Sequence, residues 1–380
     1  MTLLSPDQST LRCWAEIDLS AIRHNARVCQ ALLGDRAELM AIVKADAYGH
    51  GLERVATALA NEVEWFGVAN VREALRARTA AGTEIPVLIL SPAISEEIPL
   101  IVEGRFSASV STLAEVEAFS EEAKSRGLVA KIHAVADTGM GRMGARPDEF
   151  GNLVRAILAS PHCELEGVET HFPSADEDEA FTKDQIETFR SLLDSLDLPD
   201  SCRVHLGNSA GLLAFQDQTP FANLARPGLA LYGISPFSET PHDLRPALQL
   251  KTRITLVRDV PEGTSISYGR TFISERPMRL ATLGVGYGDG YPRALSGRNA
   301  HVLIGGHRCP LLGRVTMDQI VVDISALPEN PAIGEEAILI GRQGEEEITA
   351  DETAMKAGTI PWEVLTGITS RVERVYRHSG

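Results

Sequence analysis

Short apolar runs alternate with amphipathic stretches over the first two thirds of the chain. Amphipathic segments with recognisable helix ends separate the runs: 20–33 ends at Gly34, 71–81 ends at Gly82, and Thr112 with Glu115 forms a capping box. A repeat of strand and helix is typical of parallel sheets. The eight apolar runs are 39–43, 65–69, 87–90, 108–110, 129–135, 165–170, 203–206, and 224 with 229–232.

Eight strand–helix units in roughly 200 residues predict an α/β fold with a (β/α)8 TIM-type barrel, and a doubly wound sheet is the competing architecture. The segment Trp14 to Asp18 is a ninth candidate strand, one too many for the barrel. We therefore expect it to pair elsewhere, with the C-terminal region.

After about residue 235 the helical periodicity fades, and β-rich runs separated by Gly and Pro predict a mostly β domain. The predicted domains are a barrel over 15–235 and a β-rich domain over 236–380, which the N-terminal strand 12–18 is expected to join. The β-rich runs are 250–257, 279–283, 301–304, 320–324 and 337–340.

Composition narrows the function classes. The 380 residues include 36 Lys plus Arg and 52 Asp plus Glu, a formal charge of −16, which disfavours binding to nucleic acid or to anionic membranes. The first 14 residues lack a secretory signal and no run approaches 18 apolar residues, so a cytoplasmic protein is expected. Five cysteines without a C-x-x-C pattern indicate core thiols, and ten histidines without metal-ligand spacing give no support for a metal.

The segment AIVKADAYGHG, residues 41–51, is the strongest local signal. An apolar strand ends at Lys44 and runs directly into a loop that contains Tyr48. Because barrel active sites lie at the carboxyl ends of the strands, an amine there faces the catalytic mouth. Desolvation would lower the pKa of the amine and make it a nucleophile toward a carbonyl. A lysine that extends from a strand end into solvent is the alternative interpretation.

Two glycine-containing turns, HLGNSAG (205–211) and ARPGLALYG (225–233), lie where barrels often bind phosphate. Backbone N–H groups near Ser209 and Gly228 are candidate phosphate donors. Either turn alone is equally explained by ordinary turn chemistry. Together with Lys44, the two turns indicate a site for a phosphorylated aldehyde.

Nine ordered motifs between about residues 14 and 376 resemble those of the alanine racemases, pyridoxal-phosphate enzymes that consist of a barrel and a β-domain. The motifs are VKADAYGHG, ADTGMGRMG, THFPSADE, GNSA, ARPGLALYG, SYGRTF, GYGDGYPR, GRVTMDQ and RVERVY.

This resemblance implies a pair of acid–base residues, Lys44 and Tyr268. Lys44 matches the lysine that binds the cofactor aldehyde and then acts at the substrate Cα. Tyr268 matches the second base, which the partner subunit of a homodimer supplies from the opposite face. Racemisation needs two such groups because a proton removed from one face must be returned on the other.

The resemblance also assigns residues to the ends of the cofactor. Arg226 matches the donor to the pyridine nitrogen, where a guanidinium that stays charged leaves the ring unprotonated and should suppress transamination. His171 matches a residue that hydrogen-bonds this arginine. The matches to the phosphate-binding positions are Tyr48, Ser209, Gly228, Leu229 and Tyr376.

Three further residues match positions around the substrate. Arg142 matches an arginine near the substrate carboxylate and the cofactor phenolic oxygen, where its planar fork suits both. Tyr287 and Met317 match partner-subunit residues that line the entrance and the carboxylate pocket.

Two positions depart from the family pattern. Where many members have a carbamylated lysine, this chain has Val135, so another group, such as chloride or a nearby acid, must orient Arg142. The residue before the pocket methionine is often Cys and is here Thr316, which affects the expected shape of the pocket.

The expected function is therefore pyridoxal-phosphate-dependent interconversion of L- and D-alanine in a cytoplasmic homodimer, which supplies D-alanine for cell-wall peptidoglycan. A serine or broad-specificity racemase of the same fold is one alternative. A non-catalytic pyridoxal-phosphate carrier is another, although it would have no use for Tyr268 or Tyr287. A decarboxylase on the same scaffold is disfavoured because an arginine, Arg226, rather than an acid is expected at the ring nitrogen.

Overall fold

A computed structural model describes residues 10–237 and 243–377. Residues 1–9, which belong to the segment predicted to lack a secretory signal, and residue 380, the predicted end of the second domain, lie outside these residues. The chain divides into two compact units. A barrel unit comprises 21–47 and 51–245, and a β unit comprises the residues up to 20, 48–50, and those from 246 onward.

Eight parallel strands close into a barrel, which confirms the TIM-type prediction. Each strand pairs with its sequence neighbour, and the last pairs with the first. The strands are β2 (Glu38–Ile42), β3 (Trp65–Val68), β4 (Val87–Ile89), β5 (Ser107–Val110), β6 (Ala130–Val135), β7 (Cys163–Glu169), β8 (Arg203–His205) and β9 (Leu224–Ala225).

Helices connect the strands of the barrel unit. Their ends follow the expected local chemistry: Asn70 and Thr112 cap two of them, the latter in a full capping box with Glu115, and Gly82 follows the first of these two. The helices are α1 (Leu19–Leu33), α2 (Leu52–Leu59), α3 (Val71–Ala81), α4 (Ile98–Glu103), α5 (Leu113–Arg126), α6 (Pro147–Ala159), α7 (Glu179–Asp194) and α8 (Ser209–Phe215).

The eighth apolar run differs from the prediction. Only Leu224–Ala225 forms a strand, whereas Leu229–Tyr232 is a 3-10 helix that ends at Gly233. Gly233 has φ of 82°, a left-handed conformation that suits glycine and ends the helix. Because Leu229 to Tyr232 are all buried, their apolar character reflects packing of this short helix rather than a strand.

The β unit contains a nine-stranded sheet. Strand β1 (Cys13–Asp18) lies in this sheet, antiparallel to the strand Leu248–Val260 and parallel to the strand Glu373–Arg377, and it is not part of the barrel. The remaining strands are β10 (Leu248–Val260), β13 (Met278–Leu283), β14 (His301–Ile304), β15 (His307–Leu312), β16 (Ile320–Asp323), β17 (Glu336–Gln343), β18 (Glu346–Ile348) and β19 (Glu373–Arg377), with a separate hairpin of β11 (Ser265–Ile266) and β12 (Phe272–Ile273), and helices α9 (Ala350–Ala357) and α10 (Pro361–Thr366).

Other predictions concern the whole molecule. Cys13, Cys29, Cys202 and Cys309 are buried and Cys163 is half-buried, and all five are free thiols. In the described part of the chain, no cluster of potential metal ligands occurs. Of the described helices, none combines the length and apolarity needed to cross a membrane.

Candidate active site

Lys44 is the second residue beyond the carboxyl end of β2, at the mouth of the barrel. Burial lowers the pKa of its amine, and the charges of Arg142 and Arg226 lower it further, against the opposing carboxylates of Glu73 and Glu169. A larger fraction of this lysine is therefore neutral than of a solvated lysine, as a nucleophile or base requires.

A left-handed turn follows Lys44. Ala45, Asp46, Ala47 and Tyr48 have φ of 51°, 56°, 54° and 54°. Each such residue costs about 1–2 kcal/mol because its Cβ crowds the backbone. Strain of this kind persists only where surrounding contacts impose the conformation. The turn bends the chain sharply away from the barrel strand directly after the lysine.

Side chains of α3 hold this turn. One oxygen of Glu73 accepts the backbone N–H of Ala45 at 2.8 Å, and the other accepts that of Ala69, also at 2.8 Å. Arg76 donates to Asp46 at 2.7 Å. These charge-assisted hydrogen bonds offset the strain of the turn and fix the backbone next to the lysine.

Arg226 lies directly after β9, and its guanidinium is buried. Nη1 donates to Nδ1 of His205 and, at 3.0 Å, to the carbonyl of the same residue. Nη2 donates to the Thr170 carbonyl at 2.7 Å and to Nδ1 of His171 at 3.3 Å. Glu169 lies 3.3 Å from Nη1 and balances the charge. With both terminal nitrogens engaged by protein, the Nε–H is the donor best placed to serve a ligand.

His171 is a neutral hydrogen-bond acceptor for Arg226. Burial, together with the charges of Arg226, Arg142 and Lys44, lowers the pKa of His171 to about 3. Since Nδ1 accepts from the guanidinium, the ring proton resides on Nε2. His171 therefore presents a donor on its far side at every pH near neutrality.

Ser209 begins α8 and gathers backbone donors around its hydroxyl. The N–H groups of Gly228 and Ala230 donate to its Oγ at 3.0 and 3.1 Å. A hydroxyl that accepts two N–H groups has its own proton left to donate, which suits a bound oxyanion. Leu229, which lies between Gly228 and Ala230 in sequence, is buried. Because Gly228 and Ala230 of one predicted phosphate turn bind Ser209 of the other, the two turns meet at Ser209.

Arg142 lies in the glycine-rich loop after β6 and is exposed. Asp137 shapes this loop by accepting the backbone N–H groups of Gly139 and Gly141, each at 3.0 Å. Val135 is a buried apolar side chain of β6 and offers Arg142 no polar group. Val135 therefore cannot orient Arg142, and another group must do so.

The remaining predicted residues belong to the β unit. Tyr48 is buried, and burial raises the pKa of its phenol to about 12, which keeps it a proton donor. Tyr376 lies in β19, opposite Ile17 of β1. Tyr268 starts a short 3-10 helix and is 71% exposed.

Two loops of the β unit are joined by backbone hydrogen bonds. Tyr287 N–H donates to the Thr316 carbonyl at 3.0 Å, and Gly288 N–H donates to the Met317 carbonyl at 2.9 Å. A Cβ at Gly286 would lie 2.2 Å from that Thr316 carbonyl oxygen, so only glycine permits this approach. The predicted entrance residue and the predicted pocket methionine are thus held side by side. The Thr316 hydroxyl donates to the Gln319 carbonyl at 2.7 Å, which closes its own turn.

Sequence reasoning did not single out Glu73, Glu169 or His205. The last two are polar residues within predicted barrel strands, and their burial at 5% and 0% exposure makes them unusual. A charged or imidazole side chain inside a barrel strand is the signal that identifies such residues. For Glu73, a helix residue, the sequence carries no comparable signal.

The barrel unit thus gathers a half-buried lysine of lowered pKa, two arginines and an oxyanion cradle at one end. This arrangement is chemically suited to binding an anionic carbonyl compound.

Two family models match the chain: the alanine racemase N-terminal domain over residues 17–236 and the alanine racemase C-terminal domain over 247–376. Alanine racemase of Symbiobacterium thermophilum is 42% identical over 375 residues, with 96% of each chain covered. Among solved structures, alanine racemase from Streptomyces coelicolor A3(2) matches with a TM-score of 0.91 and 36% identity, covering 97% of this chain and 98% of that one. Alanine racemase from Bartonella henselae with covalently bound pyridoxal phosphate matches with a TM-score of 0.88 and 27% identity, covering 97% and 100%. The chain belongs to the alanine racemase family.

Proposed function

We propose that this protein interconverts L- and D-alanine with pyridoxal 5'-phosphate as cofactor and so supplies D-alanine for peptidoglycan. The observation that carries the proposal is the placement of Lys44, which is half-buried and whose amine has its pKa lowered by desolvation and by the charges of Arg142 and Arg226. An amine of lowered pKa beside two cations suits a substrate and a cofactor that are both anionic.

The residues present fit the cofactor. Lys44 supplies the amine that binds its aldehyde, Arg226 a buried donor for its ring nitrogen, and Ser209 a hydroxyl whose proton remains available to an oxyanion. Tyr48 and Tyr376 are proposed as further phosphate donors. When bound, pyridoxal phosphate withdraws electrons from the Cα of the amino acid and makes that proton acidic.

Lys44 and Tyr268 are proposed as the two acid–base groups. The Nζ atom of Lys44 removes or returns the Cα proton on one face of the substrate, and the Oη atom of Tyr268 from the partner subunit does so on the other. Lowering the pKa of Lys44 by burial favours the neutral, proton-accepting form. Arg142 is proposed to hold the substrate carboxylate in its planar fork.

Arg226 is proposed to control which reaction follows proton removal. A guanidinium donates a hydrogen bond but does not transfer its proton to the ring nitrogen. Arg226 would thus leave the ring of a bound cofactor unprotonated and would disfavour transfer of the amino group to the cofactor.

A homodimer with shared active sites is part of the proposal. Tyr268, Met317 and Tyr287 are 71%, 53% and 41% exposed in the single chain, although aromatic and methionine side chains of this size are usually covered. Their exposure supports a role at a surface that a second subunit completes. We also propose a cytoplasmic location, which fractionation of the native cell tests.

Mixing of two inactive variants tests the shared sites. Lys44→Ala and Tyr268→Ala homodimers are each expected to be inactive. After random subunit exchange, half of the dimers carry one intact site of two, so the mixture should regain roughly a quarter of the wild-type activity. No regain in a mixture shown to have exchanged subunits would place both residues on one chain.

The reaction itself is tested by following the optical rotation of pure L-alanine with the purified protein and pyridoxal phosphate. Decay to zero is expected. Constant rotation, with the visible absorption band of bound cofactor present, would move the substrate to another amino acid or the function to cofactor carriage. A panel that includes serine separates a strict alanine racemase from a broader one, and release of carbon dioxide would indicate a decarboxylase.

A further inference from the structure

A chain of buried polar side chains runs through the inside of the barrel, from the amino-terminal ends of the strands to Arg226. Nδ1 of His205, at the end of β8, contacts Nη1 of Arg226. Nε2 of His205 lies 2.7 Å from Nδ1 of His133, in the middle of β6. Nε2 of His133 lies 3.3 Å from Glu166 of β7. Lys131 reaches the same carboxylate at 2.6 Å from the second residue of β6.

The two end groups fix the direction of every hydrogen bond in this chain. Arg226 only donates, so Nδ1 of His205 accepts and its proton resides on Nε2. That proton is donated to Nδ1 of His133, which therefore also carries its proton on Nε2. His133 donates this proton to Glu166, whose ionised carboxylate only accepts. Both histidines are thus neutral, and all bonds point from the arginine to the glutamate.

The backbone of β7 is adapted to this chain. The register between β6 and β7 shifts so that Ile132 opposes Leu165 and His133 opposes Gly167, which leaves Glu166 as the extra residue of a bulge. A Cβ at Gly167 would lie 2.3 Å from Nδ1 of His133, so glycine makes room for the ring. Two local irregularities therefore serve the same pair of side chains.

The carboxylate of Glu166, at the far end of these hydrogen bonds from Arg226, has further donors that hold it in place. The Ser107 hydroxyl donates to it in addition to Lys131. Hydrogen bonds from His133, Lys131 and Ser107 stabilise the ionised form of this carboxylate against its burial. The negative end of the chain is therefore permanent near neutral pH.

We propose that Glu166 is a positioning residue for the racemase reaction, which acts through His133 and His205 to polarise and orient the guanidinium of Arg226. Hydrogen bonds aligned in one direction strengthen one another in a low-dielectric interior. The far carboxylate thus makes His205 a stronger acceptor and draws Arg226 into a single orientation. This inference rests on the proposed role of Arg226 at the ring nitrogen.

Glu166→Gln tests the proposal because it removes the charge and keeps the shape. In the holoenzyme, the 15N and 1H resonances of the two imidazoles should show Nε2-protonated, neutral rings in the wild type. In Glu166→Gln, the His205 Nε2 proton should move toward weaker hydrogen bonding. We expect kcat for alanine to fall about three- to tenfold with little change in KM, and transamination per turnover to rise.

Glu38→Gln is the matched control. Glu38, the first residue of β2, pairs with Arg203 at 2.9 Å and Trp65 at 2.8 Å but contacts neither histidine. It should leave the His205 resonances and kcat unchanged. Equal effects of Glu38→Gln and Glu166→Gln would show that loss of any carboxylate at the amino-terminal end of the barrel lowers kcat, and would overturn the proposal.

A double variant distinguishes an effect of Glu166 that passes along the hydrogen bonds from a direct electrostatic effect of Glu166 on Arg226. In a His133→Phe background, Glu166→Gln should cause no further loss of kcat, because the path to Arg226 is already broken. Independent, additive losses would overturn the proposal. If His133→Phe does not fold, His133→Gln takes its place.

The NMR measurement and the racemisation assay test different claims. Unmoved His205 resonances in Glu166→Gln would overturn the proposed role of Glu166 even if the wild type did not racemise alanine. A failed racemisation assay with shifted resonances would overturn only the proposed function.

Discussion

The carboxylate of Glu73 and the backbone N–H of Ala45 are 2.8 Å apart, so a helix residue holds the peptide directly after Lys44. The second oxygen of the same carboxylate accepts the N–H of Ala69. Because both oxygens are engaged, Glu73 joins the ends of two neighbouring barrel strands, β2 and β3. The lysine is therefore positioned from the next strand–helix unit as well as from its own strand.

Glu73→Gln should misplace the lysine. The amide has only one accepting oxygen, so one backbone N–H faces an NH2 group and loses its partner. We expect the free energy of unfolding to fall by about 1–3 kcal/mol and kcat to fall roughly tenfold. Thermal unfolding and initial racemisation rates measure the two effects.

Glu64→Gln is the control for this prediction. Glu64 also accepts a backbone N–H, that of Leu39 at 2.8 Å, but at the amino-terminal part of β2. Because Glu64 accepts one N–H here, the single amide oxygen of glutamine can keep that hydrogen bond, so little loss of stability and unchanged kcat are expected. If Glu73→Gln also left kcat unchanged, the carboxylate would serve the fold alone.

The left-handed turn predicts an unusual sign for a glycine substitution. Ala45 is exposed and has φ of 51°, where an L-residue costs about 1–2 kcal/mol and glycine does not. Glycine loses about 0.5–1 kcal/mol in flexibility, so Ala45→Gly should stabilise the protein by about 0.5–1 kcal/mol. Ala114→Gly in α5, an exposed right-handed position, should instead destabilise it by up to about 1 kcal/mol. Urea unfolding of both variants decides the matter, and equal destabilisation would contradict the strained turn.

The pKa of His171 predicts how stability depends on pH. Its folded pKa is about 3, below its ordinary value near 6.5, because of burial and neighbouring cations. Between these two values the unfolded chain binds more protons than the folded one, so the free energy of unfolding falls as the pH drops below about 6.5. Buried His205, whose pKa is also well below its ordinary value, contributes with the same sign.

His171→Gln should therefore reduce the slope of stability against pH between about pH 4 and 6.5 without abolishing it. Denaturant unfolding of the wild type and variant across this range measures the slope. Identical slopes would show that His171 titrates normally in the folded protein.

The two proposed bases predict opposite patterns of impairment. Lys44→Ala should abolish racemisation in both directions, because the residue both binds the cofactor and moves a proton. Tyr268→Phe should chiefly impair proton removal from L-alanine. Exchange of the Cα proton of each pure enantiomer with deuterated solvent measures the asymmetry, because net racemisation in either direction needs both bases, and small, equal effects of the two changes would contradict the assignment.

The sequence predicts the barrel well because its signals are local. Periodic apolar runs, the Thr112–Glu115 capping box and Gly82 each act within a few residues of chain, and the structure has all of them. The eighth strand was overestimated because the buried 3-10 helix Leu229–Tyr232 has the same apolar composition as a strand.

The support around the site was not predictable in this way. The left-handed turn contains Ala45 and Ala47, residues that carry no signal for positive φ, and it depends on Glu73, which lies 28 residues from Ala45. The chain of hydrogen bonds from Glu166 to Arg226 depends on strand register, and a one-residue bulge decides which side chains meet inside the barrel. Such features arise from tertiary contacts rather than from local pattern.

Solvent deuterium tests the two-base racemisation most directly. With L-alanine as substrate in heavy water at low conversion, the D-alanine formed should carry deuterium at Cα, because its proton comes from a second, solvent-exchanged group. The L-alanine that remains should stay almost free of deuterium. Protium retained in the D-alanine, or deuterium appearing equally in both enantiomers from the start, would show that a single base serves both faces and would contradict the account.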